Sequence, residues 1–396
     1  MPKLGINNNN QKKSNRGLIL KLVATRQCTS RIELSRATGL TKTAISQIVN
    51  ELIRGGYLVE TAKESAKETT QELGRNPIGL LIAPEAPVFA GILVERNFCE
   101  AVLCNMELKI LKEKRINCEW HSREELLKGI YELMDYILEG EKNVAGIGAA
   151  SIGSVDIKEG VIVRPLYFHD IQNVELKRLL EERYGLPVSF DQDSQSAVLA
   201  EQLFGNGRGY EDILLVSVGR GIGSGILVDG RRIHSYTGYP PEIGHISIDY
   251  HGPECICGNN GCLECYVNSD TMLRQFQNAT GLEGSYEEFC NMTEDPRVDE
   301  IMRDAAKKLG NAILSTLNIL NSQIVLLCMD CCYWPEKYIQ MIEEDINRRK
   351  FGNCNILVPV KKVLFMHQTH VLGAVCNILN ATFNGDLFVQ NCQKTI

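Results

Sequence analysis

No run of about 18 or more apolar residues occurs in the 396-residue chain, so the sequence offers no helix able to span a bilayer. The Lys- and Asn-bearing N-terminus lacks the apolar stretch of a secretory signal, and a cytoplasmic protein with no membrane partner is expected. Beyond the asparagines at 7–10 there is no low-complexity tract, and no short-period repeat is visible. Composition is unremarkable for a globular protein, with 44% hydrophobic and 23% charged residues. At this length one hydrophobic core rarely serves the whole chain, so two or three domains are expected. Cysteine is what the chain has in quantity: fifteen, which in a large unsecreted protein argue for reduced thiols and a metal rather than a disulfide framework.

The net charge of −7 hides an asymmetry. Residues 1–60 carry ten Lys or Arg and three Glu, a charge of +7, which leaves −14 on the rest. A basic head on an acidic body is either a solubilising tail or the electrostatic footprint of phosphate-backbone binding, and pattern has to decide. Leu18, Ile19, Leu22 and Val23 recur at helical spacing within 15–26. Ser30 and Glu33 form a capping box for a second helix ending near Thr38. Gly39 supplies a left-handed turn residue, and Thr41 caps a third helix reaching about Arg54.

On that third helix Ala44, Ile45, Ile48, Val49 and Leu52 form an apolar stripe, while Lys42, Thr43, Ser46, Gln47 and Asn50 share the opposite face. Short, polar and cationic side chains are the kinds that meet phosphates and base edges in a major groove. Helix, tight glycine turn and polar-faced helix make a helix-turn-helix, with a three-helix packing module as the plainer alternative. Two extended segments, at 57–59 and 78–82, suggest a wing whose tip at 63–71 either touches DNA backbone or is mobile. Arg75, after Gly74, is placed to enter a narrow minor groove.

After Pro84 and Pro87 strands alternate with helices, the pattern of an α/β body. Strands are expected at 88–94, 100–104, 144–150, 187–190, 324–329 and 355–360. Helices are expected at 123–139, 174–184, 194–204, 298–320, 335–348 and 371–382. The segment 217–230 carries glycine at alternate positions, 219, 221, 223 and 225, in a strand pair. Such strands let either a ligand or another backbone approach closely. It is not the dinucleotide fingerprint, whose glycines stand between a strand and a helix.

His245, Cys255, Cys257 and Cys262 are spaced to surround one tetrahedral zinc, with Gly258 and Gly261 to turn the loop. Cys265 makes a CxxC with Cys262 and competes with His245 for the fourth position, and spacing does not choose between them. The carboxylates Asp191, Asp193, Glu242 and Glu264 bracket the glycine hairpin and this loop, where they would orient hydroxyl groups or act as bases.

Gly-Tyr-Pro-Pro-Glu242-Ile-Gly-His245, followed by Cys255-x-Cys257-Gly-x-x-Gly-Cys262-Leu-Glu264, resembles the signature of the ROK family of sugar-responsive repressors and sugar kinases. The likeness runs from about 85 to 380 and takes in Asp193-Ser-Gln-Ser-Ala, the glycine hairpin and the terminal Leu372-Gly-Ala. It implies a two-lobed actin-like, ribonuclease H-like body and zinc on His245, Cys255, Cys257 and Cys262, in preference to Cys265. It also implies sugar contacts at Asp193, Glu242, His245 and Glu264, with Gly153 nearby. In the kinases the aspartate at Asp193 is the base. Repressors of that group, for xylose or N-acetylglucosamine, carry an N-terminal helix-turn-helix and are similar to the whole chain.

The kinases' Asp-x-Gly-Gly-Thr phosphate loop is replaced here by Leu93-Val-Glu95-Arg96-Asn97. A glutamate repels phosphate, and side chains block the backbone approach that glycine allows. Gln192, Pro240-Pro241 and Arg220 are further departures. The expectation is therefore an α/β chain with a winged helix-turn-helix at 1–82, a first lobe at 83–192 and 365–396, and a second lobe with the zinc loop at 193–364. The expected function is a non-enzymatic, sugar-responsive repressor that binds operator DNA as a homodimer or tetramer. An ATP-dependent sugar kinase is the alternative, and a DNA-binding protein with a decayed ligand site is a third reading.

Overall fold

Local capping chemistry builds the head of this computed structural model, which describes residues 8–61, 79–165, 168–169, 171–234, 239–351 and 356–386. Helix α1 (Asn8–Ala24) buries Gly17, Ile19, Leu20 and Val23, whereas Leu18 is exposed. The expected stripe is thus rotated, because Gly17 sets the contact: a Cβ there would lie 2.1 Å from the Phe383 carbonyl oxygen. Ser30 caps α2 (Arg31–Thr38) by accepting from the Glu33 amide. Glu33 reaches back one residue further than expected, accepting from the Thr29 amide and hydroxyl at 2.6 and 3.1 Å. Gly39, at φ +69°, turns the chain, and Thr41 caps α3 (Lys42–Arg54). Ile45, Val49 and Leu52 are buried, and Ala44 and Ile48 half-buried. Strands β1 (Leu58–Thr61) and β2 (Gly79–Ile82) pair antiparallel from Leu58↔Ile82 to Thr61↔Gly79 as the base of the wing. The wing tip at 63–71 and Arg75 lie outside the described residues.

Next come β3 (Val88–Val94), β4 (Phe98–Cys104), β5 (Ile110–Asn117), α4 (Arg123–Leu138), β6 (Val144–Ser151), the short pair β7 (Val155–Asp156) and β8 (Val161–Ile162), α5 (Leu176–Tyr184) and β9 (Val188–Gln192). Strand β5 has no counterpart among the sequence expectations. Its half-buried side is Ile110, Lys112, Lys114 and Ile116, so two lysine stems stand where a strand signal needs apolar residues. Their amines pair with Glu141 and Glu132, and a charged outer strand protects the sheet edge from pairing with other chains.

The rest of the chain forms α6 (Asp193–Phe204), β10 (Ile213–Val218), β11 (Ile222–Val228), β12 (Arg231–Arg232), α7 (Glu264–Val267), α8 (Ser269–Thr280), α9 (Tyr286–Asn291), α10 (Pro296–Leu320), β13 (Ile324–Met329), α11 (Glu336–Arg349), β14 (Val360–Lys362) and α12 (Thr369–Phe383). Helices α8 and α9 were not expected. They pack Met272, Phe276 and Phe289 into a core with Leu309, Ile313 and Trp334. The strand expected at 355–360 begins instead at Val360: Pro359 has no N–H for the ladder, and its carbonyl accepts from the Val325 amide. Ile356 and Leu357 are exposed.

The chain divides into two compact units, Met1–Ala149 with Leu176–Phe190 and Val375–Ile396, and Ala150–Glu175 with Asp191–Ala374. Each holds one five-stranded sheet, ordered β5-β4-β3-β6-β9 in the first and β12-β11-β10-β13-β14 in the second. Renumbered within each sheet, both read 3-2-1-4-5. In the second, β10 pairs antiparallel with β11 and parallel with β13, which pairs parallel with β14. Two copies of one connectivity are the architecture of an actin-like, ribonuclease H-like body, preceded here by the winged helix-turn-helix. Among the described residues no helix is long and apolar enough to cross a membrane.

Candidate functional site

His245 ends a short 3-10 turn, Ile243–His245, and Cys255, Cys257 and Cys262 follow on a tightly folded loop. The Cys255 amide donates to the Asn259 carbonyl at 2.7 Å, and the Gly258 amide to the Cys255 carbonyl at 2.8 Å. Gly261, at φ +62°, lies so close to Asp249 that a Cβ would overlap its carbonyl oxygen, so only glycine fits. One ligand atom from each of His245, Cys255, Cys257 and Cys262 lies within 4.8 Å of the others. Cys255 Sγ is 3.6 Å from His245 Nδ1, and Cys257 Sγ is 3.7 Å from Cys262 Sγ. A tetrahedral ion with metal–sulfur bonds of about 2.3 Å and metal–nitrogen bonds near 2.0 Å separates its donors by roughly 3.5–3.8 Å, so the residues fit such an ion.

Electrostatics agree. Burial works against the Cys255 thiolate, yet hydrogen bonds from the Cys257 backbone, the Cys257 thiol and His245 outweigh it and bring that thiol down to about 7. Cys262 is pushed up to about 12 by burial and by the Cys257 and Cys255 thiols beside it. Several thiolates this close repel one another, and a divalent cation is what stabilises them together. Cys265 stands outside the four-donor group, and its thiol is pushed up to about 11 by burial and by Cys255 and Glu264.

Next to this loop are the carboxylates. Burial pushes Glu242 up to about 7, with Asp193 and Glu264 adding to the rise and His245 opposing it, so these four expected residues share one electrostatic neighbourhood. Asp193, at the start of α6, accepts from the Ser194 amide at 2.6 Å. Glu264, which opens α7, accepts from the Ile222 amide at 2.8 Å. Gly153, at φ +76°, turns against Pro165, where a Cβ would come within 2.7 Å. Asp191 is occupied elsewhere, paired with Arg232 at 2.6 Å and with His234 at 3.1 Å.

Of the alternate glycines, Gly223 and Gly225 lie on β11 and make room for α6. A Cβ on Gly225 would meet the Ser194 carbonyl oxygen at 2.1 Å, and one on Gly223 would meet Ser194 Oγ at 2.8 Å. Glycine lets the first turn of α6 lie on the sheet and sets Asp193 at its edge. Arg220, at the tip between β10 and β11, lies 3.7 Å from Asp270.

Sequence reasoning missed a buried polar chain behind Asp193. Asp193 Oδ1 accepts from Ser194 Oγ at 3.3 Å, Ser194 Oγ lies 3.1 Å from Ser217 Oγ, and Ser217 Oγ lies 3.1 Å from His370 Nε2. His370 is fully buried, and its Nδ1 is 3.8 Å from Cys328 Sγ. Its members are distant in sequence, so no motif announces it. In the other unit, at the end of β3, Leu93 and Glu95 are buried and Arg96 half-buried.

In the head, Lys42, Thr43, Gln47 and Asn50 are exposed on α3 as expected, and Ser46 is half-buried. Arg31, the first residue of α2, was also missed. Its guanidinium donates to Asn50 Oδ1 at 2.8 Å, the Ser46 carbonyl at 3.1 Å and Glu60 Oε1 at 2.8 and 3.2 Å.

The chain as a whole is similar to known proteins. A model of the ROK family matches residues 90–379. The xylose repressor of Caldicellulosiruptor bescii is 25% identical over 391 residues, covering 93% of this chain and 96% of its own. A crystal structure of a ROK family transcriptional regulator, a homologue of the Escherichia coli Mlc protein, superposes with a TM-score of 0.81 at 26% identity over 96% of this chain and 98% of its own. A ROK family glucokinase from Streptomyces griseus, solved with glucose and AMPPNP, shares the fold at a TM-score of 0.64 and 22% identity, over 73% of this chain and 98% of its own.

Proposed function

Because the chain belongs to the ROK family, we propose that it is a sugar-responsive transcriptional repressor of carbohydrate-metabolism genes, acting in the cytoplasm. The observation that carries this reading is the head: a capped helix-turn-helix with a polar outer face, together with a base for the wing, precedes the body. The xylose repressor and the transcriptional regulator match 93% and 96% of the chain, whereas the glucokinase matches 73% of it. Lys42, Thr43, Ser46, Gln47 and Asn50 then read the operator's major groove, and Arg75 a minor groove. One head reads one half-site, so a homodimer or a tetramer binds a two-fold operator.

A sugar or sugar derivative is held by Asp193, Glu242, His245 and Glu264, with Gly153 close by. Burial keeps Glu242 protonated up to about 7, which leaves it able to donate to a hydroxyl as well as accept. The metal is zinc, held structurally by His245, Cys255, Cys257 and Cys262. When bound it ties the loop that joins Glu242 to Glu264. We assign the head to 1–82 and keep the two lobes expected at 83–192 with 365–396 and at 193–364, except that 150–175, 191–192 and 365–374 group with the second compact unit. The protein is not a kinase on this reading: Leu93, Glu95 and Arg96 occupy the place of a glycine phosphate loop, so Asp193 binds its hydroxyl without passing on the proton. Induction requires the sugar to bind the DNA-free conformation more tightly than the DNA-bound one.

The test is made on the full-length protein at fixed salt. Duplexes selected from a randomised pool are bound, then challenged with xylose, glucose, N-acetylglucosamine and their phosphates. Release by one of them is expected, and Lys42→Ala with Gln47→Ala should weaken binding about tenfold or more. Incubation with ATP, magnesium and the same sugars supplies the opposing arm, since phosphorylation at ordinary kinase rates would make the protein an enzyme.

A further inference from the structure

Arg31 joins three elements of the head through one guanidinium. It sits at the first position of α2 and donates to the Ser46 carbonyl and Asn50 Oδ1 on α3 and to Glu60 on β1. Arginine has no acceptor, so the oxygen of the Asn50 amide, not its nitrogen, must face it. The usual ambiguity between the two ends of an asparagine amide is therefore removed by chemistry. Asn50 is exposed, its Oδ1 accepts from this cation, and its Nδ2 keeps two donors.

Base edges in the major groove distinguish these two ends. Adenine offers an acceptor at N7 beside a donor at N6, and an asparagine reads it by presenting both oxygen and nitrogen. Guanine offers two adjacent acceptors, N7 and O6. With one lone pair of Oδ1 taken by Arg31 and a guanidinium beside it, Asn50 meets the adenine N6 donor less readily than it meets the two guanine acceptors, which its Nδ2 alone can serve.

We propose that Arg31 is a positioning residue that biases Asn50 towards donating, so that the operator position facing Asn50 is guanine. The inference rests on the DNA-binding reading of the head and deepens it. Arg31 acts on sequence preference rather than on affinity at large.

The experiment uses the full-length protein and the duplex selected by it. The position where Asn50→Ala erases the base preference is located by substituting each base pair in turn. Guanine is expected there, with a loss of about tenfold on replacement by adenine or by 7-deazaguanine, in the range of one well-made base contact. Arg31→Ala frees the Asn50 oxygen and should shift the guanine-to-adenine ratio at that position about tenfold towards adenine, leaving the other positions as they were. Asn50→Asp keeps the partner of Arg31 and removes both donors, so it should lose the guanine preference while its melting temperature stays near that of the parent. Adenine at that position in the parent protein, or an Arg31→Ala variant weakened equally on every sequence, would overturn the proposal. Should the variant head fail to fold, the base identity read by the parent protein still decides. Failure of the parent protein to select any duplex would instead bring down the DNA-binding reading itself.

Discussion

Gly225 lies so near Ser194 that a Cβ at that position would stand 2.1 Å from the serine's carbonyl oxygen. Strand β11 and the first turn of α6 thus pack backbone on backbone, and Asp193 takes its position from that contact. Gly225→Ala forces the two apart. It should cost about 1–3 kcal/mol of stability, as overpacking does, and the loss should appear in a urea titration of the full-length protein. An unchanged midpoint would mean that the close approach is not needed.

Metal content separates the two candidates for the fourth ligand. His245→Ala and Cys257→Ser should each reduce zinc per chain, measured by elemental analysis after dialysis, whereas Cys265→Ser should retain it. Loss of zinc in Cys265→Ser with retention in His245→Ala would move the fourth ligand to Cys265.

Asp193→Asn keeps the shape of the side chain and removes its charge. Under the proposed function it should bind the inducing sugar roughly 10- to 100-fold more weakly, the worth of one charged hydrogen bond. The melting temperature should then no longer rise with that sugar, because only a ligand that binds the folded state stabilises it. Operator affinity should stay close to that of the parent protein. A sugar response that survives in this variant would place the effector elsewhere.

His370 sets an acid limit. Burial holds its imidazole down at about 4, so the folded protein prefers the neutral ring while the unfolded chain protonates near 6.5. Stability is therefore complete above about 6.5 and is lost as pH falls from there through 4, by up to roughly 3 kcal/mol. His370→Gln, which can still reach Ser217, should flatten that part of the pH–stability curve. Parallel curves for parent and variant would show that the ring titrates as it does in water.

Much of the head was legible because its signals are local. Ser30, Gly39 and Thr41 do in the structure what capping and turn chemistry require of them, within a few residues of where they stand. Even there the buried face of α1 was misjudged, since Gly17 answers to Phe383, more than 360 positions away. Strand β5 was illegible because lysine stems cover its inner side, and helices α8 and α9 went unread. The double 3-2-1-4-5 connectivity left no trace as a repeat, because a sheet order constrains which strands pair and hardly constrains which residues they carry.

Sequence alone determined the donor types and their spacing in the Cys/His loop, the polar face of α3 and the family, because each is written in residues close along the chain. Tertiary structure alone brought a His245 nitrogen within 4.8 Å of the three thiols, made room for α6 at the β11 glycines, joined Arg31 to Asn50, and connected Asp193 through Ser194 and Ser217 to His370. Those four depend on distances between separate elements of the fold, and such distances exist only once packing has brought the elements together.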